Sequence, residues 1–112
     1  NDTEINRTGI SVFMTEQQAR ENELRGTQGI VENAHVLGVM TAYNRVGITQ
    51  DNAHTGLMKN ILRNEWGFQG LISEDFIQNA NYVVLKEAVL NGVTSAMQII
   101  DSNLDQLLRE ER

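Results

Sequence analysis

Three short apolar runs, each separated from the next by a stretch long enough to hold a helix, constrain this chain more than any other feature. They are Leu37 to Tyr43, Leu71 to Ser73 and Val93 to Ile100. Apolar runs of this length with β-branched residues read as buried strands. Between the first two, Ala53 to Asn64 sets Leu57, Met58, Ile61 and Leu62 on one face at the 3.6-residue period of a helix. Between the second and third, Asn79 to Leu90 carries Tyr82, Val83, Leu85, Ala88 and Val89, and it stops at Asn91-Gly92, a helix-ending pair. Strands joined by helical crossovers imply a parallel sheet with right-handed connections. The expected fold class is therefore α/β.

The remaining segments fit around this frame. Thr15 followed by Gln18 has the spacing of a capping box and predicts a helix over 16–33. That helix is sparse in apolar residues, and Gly26 and Gly29 each weaken it by roughly 1 kcal/mol relative to alanine, so it needs tertiary support. Residues 1–14 read as irregular, 44–52 as a loop containing Gly47, and 103–112 as a last amphipathic helix with Leu104, Leu107 and Leu108. Three strands leave the edges and faces of a parallel sheet uncovered. The chain is thus expected to be a slice of a larger fold or a subunit that pairs, with self-association when isolated.

Composition removes several classes of function. The net charge is −6 and the nine Lys and Arg residues are scattered, which argues against nucleic acid, whose phosphates need clustered basic side chains. No apolar run approaches the ~20 residues of a membrane span, so no membrane partner is expected. There are no cysteines, hence no disulfides or thiolate metal sites. His35 and His54 lack further ligands at metal spacing, so no metal is expected. No glycine pattern for binding phosphates or dinucleotides occurs, and no cofactor is implied. The chain opens on Asn1 and shows no signal peptide, so a soluble protein of bacterial type, cytoplasmic or secreted, fits equally.

The strand 71–73 runs into Glu74 and Asp75. A carboxylate just beyond the C-terminal end of a buried parallel strand is where α/β enzymes place their chemistry. The plain alternative for Asp75 is a helix N-cap or an exposed turn acid. Adjacent strand residues point to opposite faces, so Glu74 is no partner for Asp75 in catalysis. It reads as a solvated or structurally paired acid.

Asn6-Arg7-Thr8-Gly9, the Glu16-Gln17 and Arg20-Glu21 pairs, Val39-Met40-Thr41-Ala42-Tyr43-Asn44-Arg45, and above all Leu62-Arg63-Asn64-Glu65-Trp66-Gly67-Phe68-Gln69-Gly70 followed by Asp75 resemble glycoside hydrolase family 3, the β-glucosidase and β-xylosidase group. The resemblance extends to about Ile100. It implies that residues 1–112 are a fragment of that family's N-terminal (β/α)8 TIM barrel, about strands six to eight. It also implies retaining hydrolysis of β-linked glycosides, with Asp75 as the catalytic nucleophile and a β-linked glycoside as substrate.

On the same resemblance, Tyr43 lines the sugar subsite and can hydrogen-bond the nucleophile. Arg45 and Phe76 are further substrate-binding candidates. Without the resemblance, Tyr43 reads as a core aromatic with its hydroxyl at the rim, and Arg45 as a helix cap. Trp66 reads as packing between helix and strand. Two positions depart from the family pattern. Glu74 replaces a small Ser or Thr, and Ser95 stands where the family often has an acid. The family's acid/base and its Lys-His sugar grip are expected outside these residues, so the isolated chain is expected to be inactive. The other reading is a non-catalytic barrel remnant that serves as an oligomerising or interaction module.

Overall fold

The computed structural model describes residues 5, 9–75 and 85–95. The N-terminal segment holds a short strand, β1 (Ser11–Val12), where the sequence suggests irregular chain. Thr15 then caps α1 (Glu16–Gln18), its Oγ1 accepting the Gln18 amide at 3.1 Å, as the capping-box spacing predicts. The helix widens into π-type turns over Ala19–Glu23 and continues as α2 (Arg25–Ala34). It ends at His35, whose φ of 51° is left-handed, a conformation that terminates helices.

Strand β2 (Gly38–Met40) occupies the middle of the first apolar run. The segment read as a loop instead forms a hairpin of β3 (Arg45–Val46) and β4 (Thr49–Gln50), turning through Gly47 at φ 62°. β1 pairs with β3 in parallel, so a small mixed sheet runs β1-β3-β4. A 3-10 turn, Asp51–Ala53, follows directly. The helix Gly56–Glu65 is wound with π-type hydrogen bonds and buries Met58 and Leu62, two of the four apolar residues its period places on one face.

β5 (Leu71–Ser73) lies parallel to β2, with Val39 opposite Ile72. After α3 (Leu85–Leu90) the chain turns at Gly92, at φ 91°, and returns alongside β5. There it makes one parallel bridge, Ser95 to Ser73, supported by bonds from the Thr94 and Ser95 amides to the Ile72 carbonyl. The rest of the third apolar run and the last helix expected from the sequence lie outside the described residues. What is described is an α/β arrangement with mixed sheets.

The core is where the helices meet the β2-β5 pair. Val31, Met58, Leu62, Phe68, Ile72, Ala88 and Val93 form it, with Val39 and Trp66 packed against its margin. Ile72 is wholly buried. Two devices fix the link between the helix Gly56–Glu65 and β5. Gly70 lets the backbone approach closely, since a Cβ there would strike the Leu37 carbonyl. Arg63 donates to three carbonyls, from Nη1 to Phe68 at 3.1 Å and Gly70 at 2.6 Å, and from Nη2 to Gly92 at 3.0 Å. Its guanidinium also lies 5.1 Å from the Phe68 ring centre.

Candidate active site

The parallel register brings two chain ends to one edge of the sheet. The Thr41 amide bonds to the Ser73 carbonyl at 2.9 Å, so Thr41-Ala42-Tyr43 and Glu74-Asp75 leave their strands side by side. Asp75 is half-buried at this edge, and so is Tyr43. Phe76, the remaining candidate, lies outside the described residues. Arg45 is further along the same excursion. It sits in β3, opposite Gln50 on one side and Ser11 on the other, with its amide bonded to the Ile10 carbonyl at 2.8 Å.

The turn Asp51–Ala53 ties these ends together. Asp51 accepts the Ala42 amide on Oδ2 at 2.7 Å, one residue before Tyr43. Asn52 donates from Nδ2 to Glu74 Oε1 at 2.8 Å, one residue before Asp75. Ala53 offers its carbonyl to Asn91 Nδ2 at 3.0 Å, at the end of α3. A single turn thus holds the exits of β2 and β5 and the end of α3. Sequence reasoning reads Asp51 and Asn52 as loop and Ala53 as the start of a helix, and assigns none of them a part in the site. The available signal is the density of polar side chains at Gln50, Asp51 and Asn52, but their partners are distant in sequence.

Glu74 resolves in favour of the paired acid rather than the solvated one. It is 2% exposed. Burial pushes its carboxyl above the usual range, with the Asn52 bond working against that rise. Burial likewise raises Asp51, opposed by the Ala42 amide and by the nearby His54. His54 is engaged locally, its Nδ1 accepting the Leu57 amide at 3.2 Å, while His35 is exposed at the end of α2. Trp66 packs against the core between helix and strand, as expected.

Residues 3–107 match the model of the glycosyl hydrolase family 3 N terminal domain. The chain belongs to glycosyl hydrolase family 3. It is 40% identical over 76 residues to "Probable beta-glucosidase J" of Emericella nidulans, an alignment covering 68% of this chain and 9% of that protein. It is 34% identical over 76 residues to a "Beta-glucosidase" of Rhizobium radiobacter, again covering 68% of this chain and 9% of that protein. Among solved structures, β-glucosidase 3B of Thermotoga neapolitana in complex with glucose superposes with a TM-score of 0.85 at 26% identity, over 97% of this chain and 16% of that one. The β-glucosidase of Kluyveromyces marxianus in complex with glucose gives 0.86 at 25%, over 98% and 13%. The chain spans about a tenth of the length of the curated relatives it matches.

Proposed function

We propose that this family 3 segment is part of a retaining β-glycosidase of β-glucosidase type, acting on terminal β-linked sugars, with Asp75 as its nucleophile. The segment is read as about strands six to eight of a (β/α)8 barrel. The observation that carries the proposal is the position of Asp75, just past the end of a parallel strand whose central Ile72 is wholly buried, and beside the strand end that bears Tyr43.

In such a reaction an Asp75 oxygen attacks the anomeric carbon as the bond to the leaving oxygen breaks. A second carboxyl group, about 5–5.5 Å away, protonates that oxygen. Water, deprotonated by the same second group, then attacks the anomeric carbon and frees the Asp75 carboxylate. Tyr43 is assigned to the sugar subsite and to a hydrogen bond that steadies the nucleophile. Arg45 and Phe76 are assigned to substrate contact. The second carboxyl group and the Lys-His sugar grip are assigned to other parts of the protein, so the 112 residues alone are proposed not to turn over substrate.

The test is Asp75→Asn in the intact protein, assayed on an aryl β-glucoside. Turnover should fall by about 10⁶-fold, the scale seen when a covalent nucleophile is removed, with the fold unchanged by circular dichroism. Hydrolysis near the wild-type rate removes Asp75 from the role.

The exposed apolar residues favour a second reading. Leu37 is 82% exposed and Ile48 86%. As an isolated piece, the chain would cover such residues with a second copy and act as an oligomerising or interaction module. Light scattering on the 112 residues tests this, because a stable monomer contradicts it.

A further inference from the structure

Glu74 and Asn52 share one hydrogen bond, yet each side chain has a second polar atom, and both of those are buried. Among the described residues, Glu74 Oε2 and Asn52 Oδ1 find no hydrogen-bond partner. Both are acceptors when the carboxyl is ionised, and two buried acceptors without a donor are costly. The two groups are planar and already joined through Nδ2 and Oε1. One proton on Oε2 turns the remaining acceptor of Glu74 into a donor, and Asn52 Oδ1 is the acceptor at the matching end of the amide. A proton shared between Oε2 and Oδ1 would satisfy both atoms at once.

We infer that Glu74 is a neutral acid joined to Asn52 by two hydrogen bonds, and that this acid–amide pair is a positioning device for Asp75. The second half of the inference rests on the assignment of Asp75 as nucleophile. The pair fixes the backbone immediately before Asp75, which the Glu74 amide also anchors by its bond to the Ser95 carbonyl at 2.9 Å. The same turn fixes Ala42 through Asp51, so the exits of both strands are referred to one rigid element. Glu74 therefore acts through the main chain and not on substrate.

The surroundings of the pair suit a neutral acid. Titratable and charged groups on the elements around it are Asp51 and His54 on and after the turn, Arg45 on the hairpin, Asp75 on its own strand end, and Lys86 and Glu87 on α3. Burial is the main influence on the Glu74 carboxyl, and the neutral Asn52 amide is the group that bonds it.

Glu74→Gln and Glu74→Ala discriminate. The amide of glutamine presents the same donor and acceptor as a neutral carboxylic acid, whereas alanine leaves Asn52 unpaired. The experiment is a carbon-13 NMR titration of the side-chain carboxyls of the 112-residue chain, with thermal unfolding followed across the same pH range. In the wild type, the Glu74 carboxyl carbon should keep the chemical shift of a protonated acid at pH values above the ordinary range of a glutamate side chain. Glu74→Gln should leave the Asp75 carboxyl resonance in place, and should unfold like the wild type at acidic pH. Glu74→Ala should displace the Asp75 carboxyl resonance and lower the unfolding temperature.

Ionisation of Glu74 within the ordinary glutamate range overturns the pair. Displacement of Asp75 by Glu74→Gln as large as that by Glu74→Ala overturns the positioning role. If the alanine variant does not fold, the wild-type titration and the glutamine variant still decide both points. These readouts need no catalysis, so they stand apart from the hydrolysis assay that tests Asp75 as nucleophile.

Discussion

Asn52 and Glu74 lie 22 residues apart and are joined by a buried 2.8 Å hydrogen bond that closes the edge of the sheet where Asp75 emerges. Breaking it from either side leaves a buried polar group without a partner. Asn52→Leu should cost about 1–3 kcal/mol, and a denaturation midpoint in urea measures it. An unchanged midpoint means that Asn52 does not hold Glu74.

Stability should fall as pH rises. Glu74 and Asp51 both stand above their ordinary values of 4.5 and 3.8 because of burial. A group raised on folding contributes its full stability below its unfolded value and loses it as pH climbs through the folded one. The contribution is therefore complete at acid pH and lost progressively above it. Asp51→Asn keeps an oxygen for the Ala42 amide while removing one of the two charges, so unfolding temperature should depend less steeply on pH. A steeper dependence in the variant contradicts the burial of that carboxyl. The exposed Glu65, lowered by its bonds to Arg20, acts in the opposite direction on the acid side of its ordinary value.

Gly70→Ala should disturb the joint between helix and strand. The added carbon meets the Leu37 carbonyl and the Phe68 ring, while Leu37 must stay in place to accept the Leu71 amide at 2.8 Å. Overpacking of this kind costs about 1–3 kcal/mol. A urea titration should show that loss, and a wild-type midpoint would mean the Leu37 backbone yields freely.

Arg63 binds the carbonyls of Phe68 and Gly70 in the turn before β5 and of Gly92 in the return after α3. Arg63→Ala should cost about 2–3 kcal/mol, because hydrogen bonds to a charged donor are the strong ones. Arg63→Lys should recover little of it, since an ammonium cannot reproduce the guanidinium fork. Equal stability of the lysine variant and the wild type, in a thermal scan, argues against the fork.

Much of this arrangement is legible in the residues. Leu71-Ile72-Ser73 is read as a strand and is one, because its apolar run is bounded by Gly70 and acidic residues. Leu57, Met58, Ile61 and Leu62 announce a helix that the structure begins at Gly56. The strand read over 37–43 shrinks to Gly38–Met40, since Thr41 onward turns away into the hairpin. β1, β3 and β4 escape a sequence reading for a physical reason. Ser11, Arg45, Thr49 and Gln50 show no apolar alternation, and pairing between distant segments creates these two-residue strands. The place of Asp75 is legible from its distance past Gly70 and the strand between. The partner of Glu74 is not, because nothing local marks Asn52 as the residue that meets it.

The most direct measurement of the central proposal is a mass-spectrometric search for the glycosyl-enzyme bond in the intact protein, treated with a 2-deoxy-2-fluoro β-glucoside carrying an activated leaving group. Such a reagent slows the second step of a two-step displacement, so the covalent intermediate accumulates. The account predicts a peptide spanning Leu71 to Asp75 whose mass rises by one fluoroglucosyl unit, with the attachment on Asp75. Attachment to another carboxylate, or hydrolysis that proceeds with no attachment at all, would contradict it.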